Sequence, residues 1–207
     1  MYAPAAFAVT DPAELAAMMA RAPLATLVVT TDERLEAAHL PLLHDVEAGT
    51  LVGHLARQNP VAAMDGVPAM AIFNGASAYV SPGFYPSKAE HGRVVPTWNY
   101  QTVHVYGRLE RFDDPAELRA VVAALTDRFE SDRPAPWSVE DAPETYVAGL
   151  LNAIVGVRLV IQRMEGVRKL SQNRSASDKA GVRDGLAASS SPGDRAVAAL
   201  MKDEPHG

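Results

Sequence analysis

The stretch VVPTWNYQTVHVYG, residues 94–107, decides how the chain is to be read. As an extended strand it alternates its side chains, placing Trp98, Tyr100, Thr102, His104 and Tyr106 on one face and Thr97, Asn99, Gln101, Val103 and Val105 on the other. Both faces mix hydrogen-bonding groups with rings or branched carbons. Neither is a plain apolar core face, so the purpose of the strand lies in what surrounds it.

Strand-like runs lie on both sides of it: ATLVVTT from Ala25, LEAAHLPLL from Leu35, TLVGHLA from Thr50, PAMAIFNG from Pro68, SAYVSP from Ser77 and GVRLVIQRMEGVRKLSQ from Gly156. The short connections TTDER and HDVEAG suit antiparallel pairing. Between the runs, Asp11-Pro12, Asn59-Pro60, Asp114-Pro115, Ala142-Pro143 and Ser191-Pro192 each precede a helix-like segment. Proline at a first helical position loses no useful donor, and it pushes the residue before it into the extended conformation of a cap. DPAELAAMMARAP and DPAELRAVVAALTDRFES are amphipathic by this reading, with Glu14 placed to answer the capping residue Asp11. Six or seven strands with evenly spaced turns predict a mainly β, α+β barrel with flanking helices. The domain is expected over residues 1–186, and residues 187–207 form a Ser-, Gly- and Asp-rich tail with a short helix from Asp194 to Lys202.

Composition removes several function classes. The chain of 207 residues has no cysteine, which excludes disulfides, thiolate nucleophiles and Cys-ligated zinc. A formal net charge of -6 argues against a general phosphate-backbone binder, because such affinity comes from clustered Lys and Arg. The start MYAPAAFAVTDPAEL lacks a basic leader, and no apolar run reaches about 18 residues, so a cytoplasmic protein without a membrane span is expected. The histidines show no HxH or HExxH pairing, and GxSxG, P-loop and GxGxxG motifs are absent, so no metal site is expected.

Three segments carry chemistry. GHLARQNPVAAM, from Gly53, leaves a strand and enters a helix capped by Asn59, a junction suited to an anion, with Arg57 and His54 as further donors; the alternative is a solvated Arg57 and a simple cap. AAHLPLL sets His39 before Pro41 within a strand, which marks either an edge or a backbone turned toward a ligand. RKLSQNR, from Arg168, ends the last long strand with Lys169, Gln172, Asn173 and Arg174. It is either a strand exit into solvent or a set of donors for carbonyls and phosphate oxygens.

The order of HLPL, GHLARQNP, AYVSP, the SK of FYPSKAE, VVPTWNYQTVH, PW before a DAP helix start and KLSQNR resembles the PaiB-type FMN-binding negative transcriptional regulators. These belong to the FMN-binding split-barrel superfamily, with the pyridoxamine-phosphate oxidases. The resemblance runs from MYAP to about Leu186 and implies a homodimeric split barrel with FMN in a groove between subunits. It implies that His39, Leu40 and Leu42 line the isoalloxazine, that His54, Arg57 and Asn59 hold the phosphate, and that Lys169, Gln172 and Arg174 close the site. Where the oxidases use Arg and Lys, this chain has His39-Leu40-Pro41-Leu42. In such a dimer the 94–107 strand lines the cofactor groove with one face, and Trp98 is the residue expected to touch the flavin. The functions that follow are an FMN-binding regulator, with DNA as a partner to be tested, an FMN-dependent oxidoreductase using Tyr100 or His104, or a haem-binding split barrel with His39, His54 or His104 as axial ligand.

Overall fold

The proline-led helix starts are set by local chemistry. In a computed structural model, which describes residues 1–30 and 34–202, α1 (Pro12–Arg21), α3 (Pro115–Glu130) and α6 (Pro192–Leu200) each begin on the proline. Asp114 accepts from the Glu117 amide at 2.9 Å, and Ser191 caps α6 in the same way. Pro143 stands immediately before α4 (Glu144–Leu151), and α2 is the single turn Ser87–His91. One expected contact is replaced: Glu14 pairs with Arg168 rather than reaching back to Asp11, whose carboxylate accepts from the Ala13 amide.

The strands are β1 (Ala8–Val9), β2 (Leu24–Thr30), β3 (Leu35–Pro41), β4 (Leu43–Asp45), β5 (Thr50–Ala56), β6 (Val67–Val80), β7 (Thr97–Phe112) and β8 (Ile154–Lys169). Thr31, Asp32 and Glu33 of the expected TTDER connection lie outside the described residues. The two runs expected at Pro68 and Ser77 are one strand. Ala69, Ala71 and Phe73 are buried on one phase and Ala78 and Val80 on the other, so the alternation slips by one residue between them, as at a β-bulge. Gly75 lies within the slip, where a Cβ would stand 2.6 Å from the Gln101 side chain.

The chain separates into two compact units. The strand-rich unit comprises Met19–Phe73 and His104–Met164. Its strands run in the order β3-β2-β6-β7-β8-β5-β4, and β2 pairs antiparallel with β3 and β6, as β5 does with β4 and β8. Leu27, Val29, Leu51, Val105, Leu109, Val157 and Leu159 are buried in it, and α3 adds Leu118 and Leu125.

The second, helix-rich unit comprises Met1–Met18, Asn74–Val103 and the chain from Glu165. It holds the remaining lengths of β6, β7 and β8, with β1 paired to β8, and α2, α5 (Ala176–Ala187) and α6. Ala78, Val80, Tyr85, Leu170, Val182, Leu186, Val197 and Ala198 form its core. Helix α6, in the expected tail, is thus anchored by Val197 and Ala198. Helix α5 lies in a stretch where no element is expected from the sequence, and it carries two glycines. They are a packing surface: a Cβ at Gly181 would stand 2.2 Å from the Phe84 carbonyl oxygen, and one at Gly185 2.4 Å from the Phe84 ring.

Candidate functional site

In the strand-rich unit, β3 is an edge strand and Pro41 ends it, in keeping with a residue that cannot donate to a ladder. His39 projects outward, its Nδ1 3.1 Å from the Thr26 hydroxyl across the β2 pairing. Leu40 and Leu42 point the other way and are buried at 2% and 5% exposure, so their side chains belong to the core.

His54 sits on β5 opposite Gly156, a position filled by the Phe112 ring, over which Arg158 stacks at 5.0 Å. The His54 Nδ1 is buried without a partner, and burial holds the imidazole pKa below its usual value. Arg57 has protein partners for all three of its nitrogens: Nε donates to the Asn152 carbonyl at 3.0 Å, Nη2 to the Ile154 carbonyl at 2.8 Å, and Nη1 pairs with Asp113 at 3.0 Å. Asn59 accepts from the Val61 amide at 2.9 Å, and the helix it caps is one 3₁₀ turn, Pro60–Ala63. So short a helix has little dipole to offer an anion. The His104 and Tyr106 rings on β7 form a T-shaped pair, with centroids 6.2 Å apart, and the Arg163 guanidinium lies 4.0 Å from the Tyr106 ring centroid.

The helix-rich unit shows a different arrangement around KLSQNR. Trp98 is 55% exposed and meets the half-exposed Tyr79 edge-on, with centroids 6.2 Å apart. Lys169 donates to the Thr97 hydroxyl at 2.5 Å, and burial, with the neighbouring Arg174 charge, holds its ammonium pKa below the usual lysine range. Arg174 rests on the Tyr85 ring at 5.0 Å. Gln172 is turned inward as a clamp, its amide accepting from the Leu170 N-H and donating to the Arg168 carbonyl, each at 2.7 Å.

Between the two cations, Ser171 adopts a left-handed conformation at φ 67° and is buried. Asn99, fully buried, donates to the Ser171 hydroxyl at 3.0 Å and accepts from it at 3.2 Å. Nearby, the buried Asp178 receives the Ser87 amide at 3.2 Å and the Ser87 hydroxyl at 2.9 Å. Burial pushes the Asp178 carboxyl up, but these bonds, with Ser175 and the charge of Arg174, outweigh it and hold the pKa below the usual range. Sequence reasoning missed Asn99, Ser171, Ser87 and Asp178 as structural partners. The available signal was Asn99 itself, an amide in step with Val103 and Val105 on the buried face of β7.

The sequence model of the family described as "Putative FMN-binding domain" matches residues 1–163. The chain belongs to this family. A Bacillus subtilis relative, protease synthase and sporulation protein PAI 2, is 30% identical over 210 residues, covering 99% of this chain and 98% of that protein. An Aspergillus fumigatus relative is 33% identical over 198 residues, covering 73% of this chain and 76% of its own. Among solved structures, the FAD and heme binding protein of Mycobacterium smegmatis aligns with a TM-score of 0.60 at 19% identity, covering 84% of this chain and 78% of that one. The expected fold therefore holds: this family member is an α+β, mainly β split barrel with flanking helices, of the FMN-binding PaiB type. Among the described residues, no helix is long and apolar enough to cross a membrane.

Proposed function

We propose that the protein is a cytoplasmic, homodimeric negative regulator of transcription whose state is set by bound FMN. The observation that carries the cofactor side is the pair of cations flanking Ser171: Lys169 and Arg174 have no carboxylate partner within ion-pair distance among the described residues, and Trp98 presents an exposed ring in the same unit. Cations, a hydroxyl and an exposed indole are groups that suit a phosphorylated planar ligand. In the strand-rich unit, His39 is the exposed member of the expected set, whereas Leu40, Leu42, Arg57 and Asn59 already have internal roles. Bound FMN supplies hydride and electron transfer, and the chain supplies binding and orientation.

Homodimerisation is supported by the outer face of the strand-rich unit. There Val28 lies between Ala37 and Met70, and Thr26 between His39 and Ile72, all exposed or half-buried. A half-apolar sheet face of this kind gains from being covered by a second copy.

The test is the visible spectrum of the purified full chain, its flavin stoichiometry and a mobility-shift assay with promoter DNA at two salt concentrations. Regulation by direct contact requires a retarded band that weakens steeply with salt and responds to FMN. Salt-independent or absent retardation removes direct DNA binding. The group of His104, Tyr106 and Arg163 supports a second reading, an FMN-dependent oxidoreductase. Reduction of the bound flavin by a nicotinamide donor, followed by turnover with an acceptor, selects it.

A further inference from the structure

We propose that Lys169 and Arg174, on either side of the Asn99-locked turn at Ser171, form a receptor for a phosphate dianion, either the phosphomonoester of a cofactor or free phosphate. The proposal deepens the FMN reading and can stand or fall separately from it.

The turn brings the two charges together. The Arg174 amide closes on the Ser171 carbonyl at 3.0 Å, so the chain reverses directly after Lys169. Left-handed backbone is unfavourable for serine, and the reciprocal Asn99 bonds hold it there. Three other arginines of the unit are matched, Arg168 by Glu14, Arg183 by Asp184, and Arg195 by the carbonyls of Ser189 and Ser190, while Arg93 is exposed to solvent. Among the described residues, Arg174 has only the Tyr85 ring and the longer-range charge of Asp178, whose two oxygens face Ser87. Lys169, among the described residues, has only the Thr97 hydroxyl, although it is half-buried. Burial first, and the Arg174 charge second, hold the Lys169 pKa below its usual range, so an anion at this place relieves both costs.

The chemistry of the donors selects the ligand. A carboxylate would neutralise one charge and leave the other. A phosphate dianion neutralises both, and its oxygens take the guanidinium fork, the ammonium and the Thr97 hydroxyl at different corners. Arg174 also directly precedes the Ser175 cap of the twelve-residue α5, where the helix dipole adds positive potential.

The experiment compares wild type, Lys169→Gln and Arg174→Gln in the full chain. FMN and riboflavin are titrated by flavin fluorescence, and thermal unfolding is followed with inorganic phosphate or chloride at equal ionic strength. Each substitution is expected to weaken FMN by about tenfold to a hundredfold, the loss of one charge-assisted hydrogen bond, and to leave riboflavin within about twofold. Phosphate is expected to raise the wild-type melting temperature more than chloride and to compete with FMN. If FMN affinity is unmoved but the phosphate-specific shift is lost in the variants, the receptor serves free phosphate and the proposal stands. Should the chain bind no flavin at all, the FMN reading fails while the phosphate shift still decides the receptor. An FMN-to-riboflavin ratio unchanged in both variants, together with a wild-type shift no larger in phosphate than in chloride, overturns it.

Discussion

Arg57 and Arg174 both follow the end of a strand and stand close to a helix cap, yet they face opposite situations. Around Arg57, two carbonyls and Asp113 take up the guanidinium, and the following cap is closed by its own Asn59. Around Arg174, the polar groups have been organised to hold the backbone, with Asn99 on Ser171 and Gln172 on Leu170 and Arg168, while no carboxylate among the described residues pairs with the cations. The difference teaches that a basic residue in a promising motif is a ligand group only when the fold has not already answered it. Arg57 joins β5 to the start of β8, and Arg174 waits for a partner from outside.

The largest expected effect breaks the comparison if it fails. Arg57→Ala removes two hydrogen bonds from a charged donor and one half-exposed ion pair, and should lower the unfolding free energy by about 1.5–3 kcal/mol in urea titration. The folded variant should keep its FMN affinity. An undiminished stability with lost FMN binding would return Arg57 to the cofactor and reverse the contrast.

Next in size is the lock under the Lys169–Arg174 turn. Asn99→Ala leaves the Ser171 hydroxyl buried without its partner, and a loss of about 1–3 kcal/mol is expected, accompanied by loss of the phosphate-specific thermal shift. Comparing Ser171→Ala with Ser171→Gly sharpens the point, since both remove the hydroxyl but glycine accepts positive φ freely. The glycine variant should be the more stable by about 0.5–1 kcal/mol in denaturant titration. Equal stabilities would mean that the left-handed conformation carries no strain.

The smallest effect concerns pH. His54 has its pKa lowered by burial, so the unfolded chain binds its proton more readily than the folded one. Its contribution is fully present above the unfolded pKa of about 6.5 and is lost as pH falls through the folded value. His54→Gln should therefore flatten the decline in stability between about pH 7 and pH 5 without removing it, because His44 is shifted the same way by its own burial. A wild-type slope unchanged in the variant would show that His54 does not titrate with folding.

Much of the fold was legible because its signals are local. The run from Thr50 to Ala56 is β5 at both ends, and the prolines at positions 12, 115 and 192 open helices because proline acts on its own φ and on the residue before it. What was misread involved distant partners. The phase slip in β6 looked like a break between two strands, and α5 went unpredicted because nothing nearby in sequence says that Gly181 and Gly185 receive Phe84. In HLPL the side chains of Leu40 and Leu42 are buried, while His39 is exposed and Pro41 half-buried on the opposite phase.

The candidate site divides in the same way. KLSQNR was recognisable as a dense set of donors, and VVPTWNYQTVHVYG as a strand with two half-polar faces. By itself the sequence determined the strand and helix inventory, the absence of thiol chemistry and the family, because periodicity, capping and composition act over a few residues or over the whole chain. Only the tertiary structure decided that Asn99 and Gln101 form the buried face of that strand while Trp98 stands exposed, that Asn99 reaches Ser171, 72 residues away, and that Arg57 has a carboxylate partner while, among the described residues, Lys169 and Arg174 have none. The physical reason is that a polar group's role depends on whether its hydrogen bonds and charge are satisfied, and satisfaction is a property of neighbours in space.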